Sequence, residues 1–261
     1  MPRFAANLSM LFNEADFLDR FEAAANAGFE GVEYLFPYGH DKGRLAERLH
    51  RHGLTQVLFN LPAGDWEAGE RGIACHPDRV GEFQDGVGRA IDYAIALGCG
   101  QLNCLAGVAP DGLAPELVRE TLVTNLKFAV RALSDAGIRL LAEPINTRDV
   151  PGFFLHHTRQ ALEIFDEVGS QNLWLQYDVY HMQVMEGDLA RTIERELQRI
   201  GHIQIADNPG RHEPGTGEIN YPFLFDFLDR AGYRRWIGCE YKPASSTDAG
   251  LAWFAPYRAR G

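Results

Sequence analysis

The chain has 261 residues, with 25 Lys and Arg against 36 Asp and Glu, a formal net charge of −11. That balance excludes a surface built to coat nucleic-acid phosphates, which needs clustered cations, and 46% hydrophobic with 23% charged residues excludes a disordered or collagen-like chain. At roughly 150 residues per domain the length allows one or two domains, and α/β barrels commonly fill about 250 residues as one.

From the N-terminus onward one junction recurs: a helical stretch ends at Gly and a short apolar run follows. The first run, 4–10, has no such Gly before it; it is followed by Asn13-Glu14-Ala15-Asp16, an N-cap with an acidic first turn and no phosphate-binding glycine. Gly28 then leads to the run 31–36, Gly53 to 55–60, Gly98 to 101–104 and Gly137 to 138–143. Gly169, Gly201 and Gly232 lead in turn to 173–178, 202–207 and 236–240. A glycine just past a helix adopts the left-handed conformation that ends it. Between the runs lie amphipathic spacings such as Phe17, Leu18, Phe21, Ala24 and Leu122, Leu126, Ala129, Leu133. His156 and His157 are expected to begin a helix with Thr158. Eight strands alternating with helices predict a single (β/α)8 TIM barrel spanning 1–261; a doubly wound open sheet usually has fewer strands and a Gly-rich first turn.

Two connections are long: 62–77 after the third strand, with Trp66, Arg71 and His76, and 209–220 after the seventh, with Arg211, His212 and Glu218. Long loops after barrel strands lie on the catalytic face. No run approaches the roughly 20 apolar residues of a membrane span, and the first dozen residues lack a secretory pattern, so a cytoplasmic protein is expected. Cys75, Cys99, Cys104 and Cys239 form no C-x-x-C pair and are expected to be reduced and structural. The 253–257 tail packs either on the barrel bottom or on a second copy of the chain, which leaves a homo-oligomer open.

Polar residues close almost every strand: Asn7, Glu33, Asn60, Asn103, Glu143, Asp178, Gln204 and Glu240. So many acidic groups in one crown would raise one another's pKa unless a cation relieves them. Glu143, Asp178, Gln204 and Glu240 come from four successive strands, and as hard oxygen donors they suit Mg²⁺ or Mn²⁺ better than Zn²⁺. There is no G-x-x-x-x-G-K-[ST], G-x-S-x-G or H-E-x-x-H, and no G-x-G-x-x-G, so no nucleotide cofactor is expected.

The motifs Asn60-Leu61-Pro62-Ala63-Gly64-Asp65-Trp66, Gly69-Glu70-Arg71-Gly72, Glu143-Pro144-Ile145-Asn146 and Tyr177-Asp178-Val179-Tyr180-His181-Met182-Gln183 stand out. With Glu213-Pro214-Gly215-Thr216-Gly217-Glu218 and Gly238-Cys239-Glu240-Tyr241-Lys242-Pro243, they resemble the hydroxypyruvate isomerase family, one of the xylose-isomerase-like TIM barrels, essentially from end to end. The resemblance implies that Glu143 and Glu240 are the paired acid/base residues, and that Glu143, Asp178, Gln204 and Glu240 surround a divalent ion. Related ketose epimerases carry His where this chain has Gln204, and a D-x-x-H pair like Asp178 to His181. The implied reaction interconverts hydroxypyruvate and tartronate semialdehyde by proton transfer through an enediolate. His181, Arg71, Arg211 and Lys242 are the candidates for gripping the substrate carboxylate. The alternatives are an isomerase of 2-oxo- or 3-oxo-tetronate with the same apparatus, a ketose epimerase, a silent sugar-acid-binding barrel and a zinc nuclease barrel, which would need a His-rich cluster and a basic face. The expected partner is a small hydroxy or oxo acid, with neither nucleic acid nor membrane.

Overall fold

The computed structural model describes residues 2–258. Its strands are β1 (Arg3–Asn7), β2 (Gly31–Glu33), β3 (Thr55–Asn60), β4 (Gln101–Cys104), β5 (Arg139–Ala142), β6 (Leu173–Asp178), β7 (Ile200–Ile205) and β8 (Trp236–Cys239). All neighbours are parallel, and β1 pairs with β8 through Phe4 with Ile237 and Ala5 with Gly238, which closes the barrel. The helices are α1 (Arg20–Asn26), α2 (Lys42–His52), α3 (Val80–Leu97), α4 (Pro115–Asp135), α5 (Thr158–Val168), α6 (Val179–Met185), α7 (Leu189–Glu196), α8 (Tyr221–Arg230) and the short α9 (Thr247–Gly250). Gly53, Gly98 and Gly169 close α2, α3 and α5 in the left-handed conformation, so the repeated junction is the barrel's own repeat.

The strand boundaries depart from the apolar runs where tertiary pairing overrides them. β1 stops at Asn7 because the chain turns there: the amides of Met10 and Leu11 both donate to the Asn7 carbonyl. β2 is cut to three residues by a register shift against β3 between Val32 and Glu33. β7 starts two residues early, at Ile200. After β6 the helix begins at once, Asp178 being both the last strand residue and the N-cap of α6. His157 is the N-cap residue of α5, so that helix begins at Thr158.

The main core lies between barrel and helices, with Phe21, Leu45, Phe83, Leu126, Ile164 and Leu224 among its buried members. A second apolar cluster, Ala5, Val57, Leu58 and Leu141 with Trp174 and Trp236, comes from strands alone. At the N-terminal end of β1, Phe4 packs edge-on against Phe225, Trp253, Phe254 and Tyr257, with ring centroids 5.0–5.8 Å away. The C-terminal aromatic segment therefore packs on the barrel of its own chain.

Candidate active site

At the C-terminal ends of β5 and β6, two carboxylates meet an imidazole. Glu143 follows β5, and its Oε2 accepts a hydrogen bond from Asn103 Nδ2 at the end of β4 (3.0 Å). Asp178 uses Oδ1 to cap α6, accepting from the amides of Tyr180 (2.8 Å) and His181 (3.3 Å). The other oxygens, Glu143 Oε1 and Asp178 Oδ2, are buried and make no hydrogen bond among the described residues. Three residues past Asp178, on the first turn of α6, His181 brings Nε2 to 3.6 Å from Asp178 Oδ2 and 4.0 Å from Glu143 Oε1. One ligand atom each from Glu143, Asp178 and His181 lies within 4.8 Å of the others, so this buried group could hold a metal ion.

Asn146 fixes which imidazole nitrogen carries the hydrogen. Its Oδ1 accepts from the Asp149 amide (2.7 Å), which leaves Nδ2 to donate to Asp149 Oδ2 (3.2 Å) and to His181 Nδ1 (2.6 Å). His181 Nδ1 is thus an acceptor and Nε2 bears the hydrogen. In this tautomer His181 is a donor aimed between two carboxylates, and the oxygens of Glu143 and Asp178 that make no hydrogen bond among the described residues have the chemistry that suits a hard divalent ion.

Glu240, directly after β8, is held by three donors. Arg211 Nη2 donates to Oε1 (2.8 Å), while Asn7 Nδ2 (3.0 Å) and Gln204 Nε2 (2.7 Å) donate to Oε2. The same two amide nitrogens also donate to Glu33 Oε1, at 3.1 and 2.8 Å, and His202 Nε2 lies 2.7 Å from Glu33 Oε2. Gly238 makes room for this, since a Cβ there would lie 2.4 Å from both Glu33 carboxylate oxygens. Gln204 Oε1 accepts from Gln176 Nε2 (2.7 Å). Gln204 thus has its oxygen engaged by Gln176 and its NH₂ group toward the two acids.

Burial raises the pKa of Glu143 well above the ordinary carboxylate range, and the charges of Glu240 and Asp178 raise it further. Glu240 is pushed up by burial, against the opposing charge of Arg211, and Asp178 likewise. His181 is held well below its usual value, first by burial and then by Arg211, so its ring is neutral. Burial alone would lower the pKa of Arg211, but the charges of Glu240, Asp178 and Glu143 more than offset it and keep the guanidinium cationic.

These groups open into a cavity of about 110 Å³ walled by Trp66, Arg71, Glu143, His181, Arg211 and Glu240, with Leu35, Leu105 and Ile145 as its apolar side. Arg71 stands on the loop after β3, its guanidinium 4.1 Å from the Trp66 ring centroid. Arg211 stands on the loop after β7, which Asp207 organises by accepting from the amides of Asn208, Gly215, Gly217 and Ile219 at 2.9–3.1 Å. Of the four expected carboxylate-binding residues, His181, Arg71 and Arg211 line the cavity. Lys242 is exposed and outside that lining, with its amide donating to the Arg211 carbonyl. Sequence reasoning gave no role to Asn103, Asn146 or His202. The position of Asn146 three residues after Glu143 was visible, but not the side chain it would meet.

A model of the xylose isomerase-like TIM barrel family matches residues 21–257. The chain is 57% identical to the hydroxypyruvate isomerase of Escherichia coli over 99% of this chain and 100% of that one. It is 51% identical to the 2-oxo-tetronate isomerase of Cupriavidus necator, with both chains covered in full. A crystal structure described as an AP endonuclease of family 2 from Brucella melitensis superposes with a TM-score of 0.97 at 51% identity, over 99% of this chain and 100% of that chain.

Proposed function

This chain belongs to the xylose isomerase-like TIM barrel family and, with hydroxypyruvate and 2-oxo-tetronate isomerases as relatives, is an isomerase; from that premise we propose that it interconverts hydroxypyruvate and tartronate semialdehyde. The observation that carries the reading is a pair of buried carboxylates, Glu143 and Glu240, facing one small cavity that also holds two guanidinium groups. A divalent cation, Mg²⁺ or Mn²⁺, held by Glu143 and Asp178 would supply a Lewis acid for the negative charge that develops on two vicinal oxygens.

The chain's own residues account for the proton movements. A proton leaves the hydroxymethyl carbon of hydroxypyruvate for Glu143, whose Oε1 has no competing donor and whose burial favours holding it. The resulting enediolate takes a proton at the adjacent carbon, and a hydroxyl proton passes from one oxygen to the other, with Glu240 as the second carboxylate. His181 Nε2–H donates to a substrate oxygen, and Arg71, stacked on Trp66, grips the carboxylate from the loop side. Arg211 stays with Glu240.

A tetronate would present the same reactive unit with one more carbon, and the Cupriavidus relative favours it as the second reading. Endonuclease chemistry, which the description of the Brucella structure would imply, is disfavoured by the net charge of −11. We place the protein in the cytoplasm, where its four free, buried cysteines suit reducing conditions; no described helix is long and apolar enough to cross a membrane.

The test is turnover of hydroxypyruvate beside 2-oxo- and 3-oxo-tetronate in D₂O, for wild type and Glu143→Gln, with and without chelator. Preferred turnover of hydroxypyruvate with deuterium at the protonated carbon, lost in the variant and reduced by chelator, is the expected result. Turnover with no solvent deuterium in the product would replace proton transfer by a hydride shift.

A further inference from the structure

We propose that the N-terminal end of the barrel, opposite the end that carries Glu143 and Glu240, has a second binding site, which takes the phosphate group of a small molecule between Arg139 and Arg235. The inference goes beyond the isomerase reading and does not depend on it. Thr55 and Gln56 open β3, Gln101 opens β4, Arg139 opens β5, and Arg235 stands directly before Trp236 at the start of β8; these residues wall a cavity of about 260 Å³. None of them lines the cavity of Glu143 and Glu240. Both guanidinium groups lie over the Trp174 ring, 5.9 Å from its centroid for Arg139 and 4.7 Å for Arg235, and that of Arg3 lies 3.9 Å from the Trp236 ring centroid. Two indoles thus hold three cations at one end of a chain whose net charge is −11.

Among the described residues Arg3, Arg139 and Arg235 make no ion pair, whereas Arg79, Arg119, Arg199 and Arg211 each meet a carboxylate. The Arg139 guanidinium makes no hydrogen bond among those residues either, and Arg235 spends only Nη1, on the Ile200 carbonyl (2.5 Å). Burial and the charge of Arg235 both lower the pKa of Arg139, with only Tyr233 opposing them, yet a guanidinium keeps its proton. Two like charges therefore stand together with most of their donors unspent. A single carboxylate would use part of that set; a phosphate group, with close to two charges and three terminal oxygens, meets two guanidinium forks at once. Gln56 bears on the rest of the ligand. It is 3% exposed, its Nε2 donates to the Leu58 carbonyl (2.8 Å), and its Oε1 makes no hydrogen bond among the described residues. A buried acceptor without a donor is costly, and a hydroxyl on the phosphorylated molecule would supply one. The shared chemistry is a phosphate dianion, from free phosphate or from a phosphomonoester, and Gln56 favours a monoester that carries hydroxyls.

Isothermal titration of the wild type with glycerol 3-phosphate and with inorganic phosphate, at fixed ionic strength, tests the site without any turnover. Saturable binding is expected, tighter for glycerol 3-phosphate, and weakened about 10- to 100-fold in Arg139→Gln and in Arg235→Gln, as loss of charge-assisted hydrogen bonds implies. Arg191→Gln makes the same change of charge at an exposed position of α7 and should leave affinity within about twofold, since a distant exposed charge is screened. Gln56→Leu should abolish the preference for glycerol 3-phosphate; equal affinity for the two probes in the wild type would overturn the monoester and assign free phosphate as the occupant. Arg71→Ala locates the ligand: binding lost there and kept in Arg139→Gln would put the phosphate in the cavity of Glu143 and overturn the proposal. Absence of saturable binding of either probe by the wild type at millimolar concentration would overturn it too. If the Gln variants do not fold, Arg139→Lys and Arg235→Lys decide, because they keep the charge and lose the fork; unchanged affinity in both sinks the site.

Discussion

Among the described residues Glu143 Oε1, on the cavity wall, makes no hydrogen bond, and two consequences follow at the scale of the residue. Removing its ability to ionise removes the base, so Glu143→Gln should lower kcat by about 10²- to 10⁴-fold, as loss of a positioned general base does, with the fold unchanged by circular dichroism. The second consequence is in stability. The folded protein raises the pKa of Glu143 by burial and by the charges of Glu240 and Asp178, so in the window above the ordinary value of 4.5 the metal-free folded state holds a proton that the unfolded chain has released. Stability from this group is therefore present at low pH and lost as pH rises through its raised value, at up to about 1.4 kcal/mol per pH unit. His181 has the opposite sign, but only below its usual value of 6.5. Melting temperatures in chelator, followed upward from pH 6.5, should fall more steeply for wild type than for Glu143→Gln, and added Mg²⁺ or Mn²⁺ should flatten the difference. Parallel curves would show that Glu143 is not strained by ionising. At the same scale Arg71→Ala should raise KM for the acid with a smaller effect on kcat, because among the described residues that guanidinium is engaged by backbone carbonyls and the Trp66 face.

Among the elements, the loop after β7 has the tightest specification. Asp207 satisfies four amides of 208–219, and at Gly217 a Cβ would lie 2.0 Å from the Asn208 carbonyl oxygen, so only glycine fits that turn. Gly217→Ala should displace the segment that presents Arg211, raising KM and opening 208–219 to proteolysis while the barrel still melts cooperatively. What the sequence made legible divides along the same line. β6 was readable to the residue because Leu173 to Asp178 alternates within one apolar run and then caps a helix, and Glu143, Asp178 and Glu240 were readable because each closes such a run. β2 was overestimated, since the strand ends at Glu33 and only single backbone bonds tie Tyr34 and Leu35 to β3, with Leu35 going to the cavity wall. The donor face of Gln204 and the tautomer of His181 were not legible. Each is decided by partners 28 and 35 residues away, Gln176 and Asn146, and a hydrogen-bond direction leaves no periodicity in a sequence.

For the whole molecule, the first and last strands are each other's neighbours, and the aromatic cluster beneath them is shared between the two ends of the chain: Phe4 from one side, Trp253, Phe254 and Tyr257 from the other. Phe4→Ala should cost about 3–5 kcal/mol, the usual range for a buried Phe, seen as a lower melting temperature with kcat unchanged, since the cluster lies at the end of β1 opposite Asn7. The seam also sets an order of events during biosynthesis. A ribosome releases β1 long before β8, so for most of translation the nascent chain displays β1 with an unpaired edge that other strands could join. Only when 236–257 emerge can that edge be covered and the ring shut. The β1–β8 seam is where this protein most needs protection while it is being made, and a stall in the ribosome late in the message would strand it with that edge open.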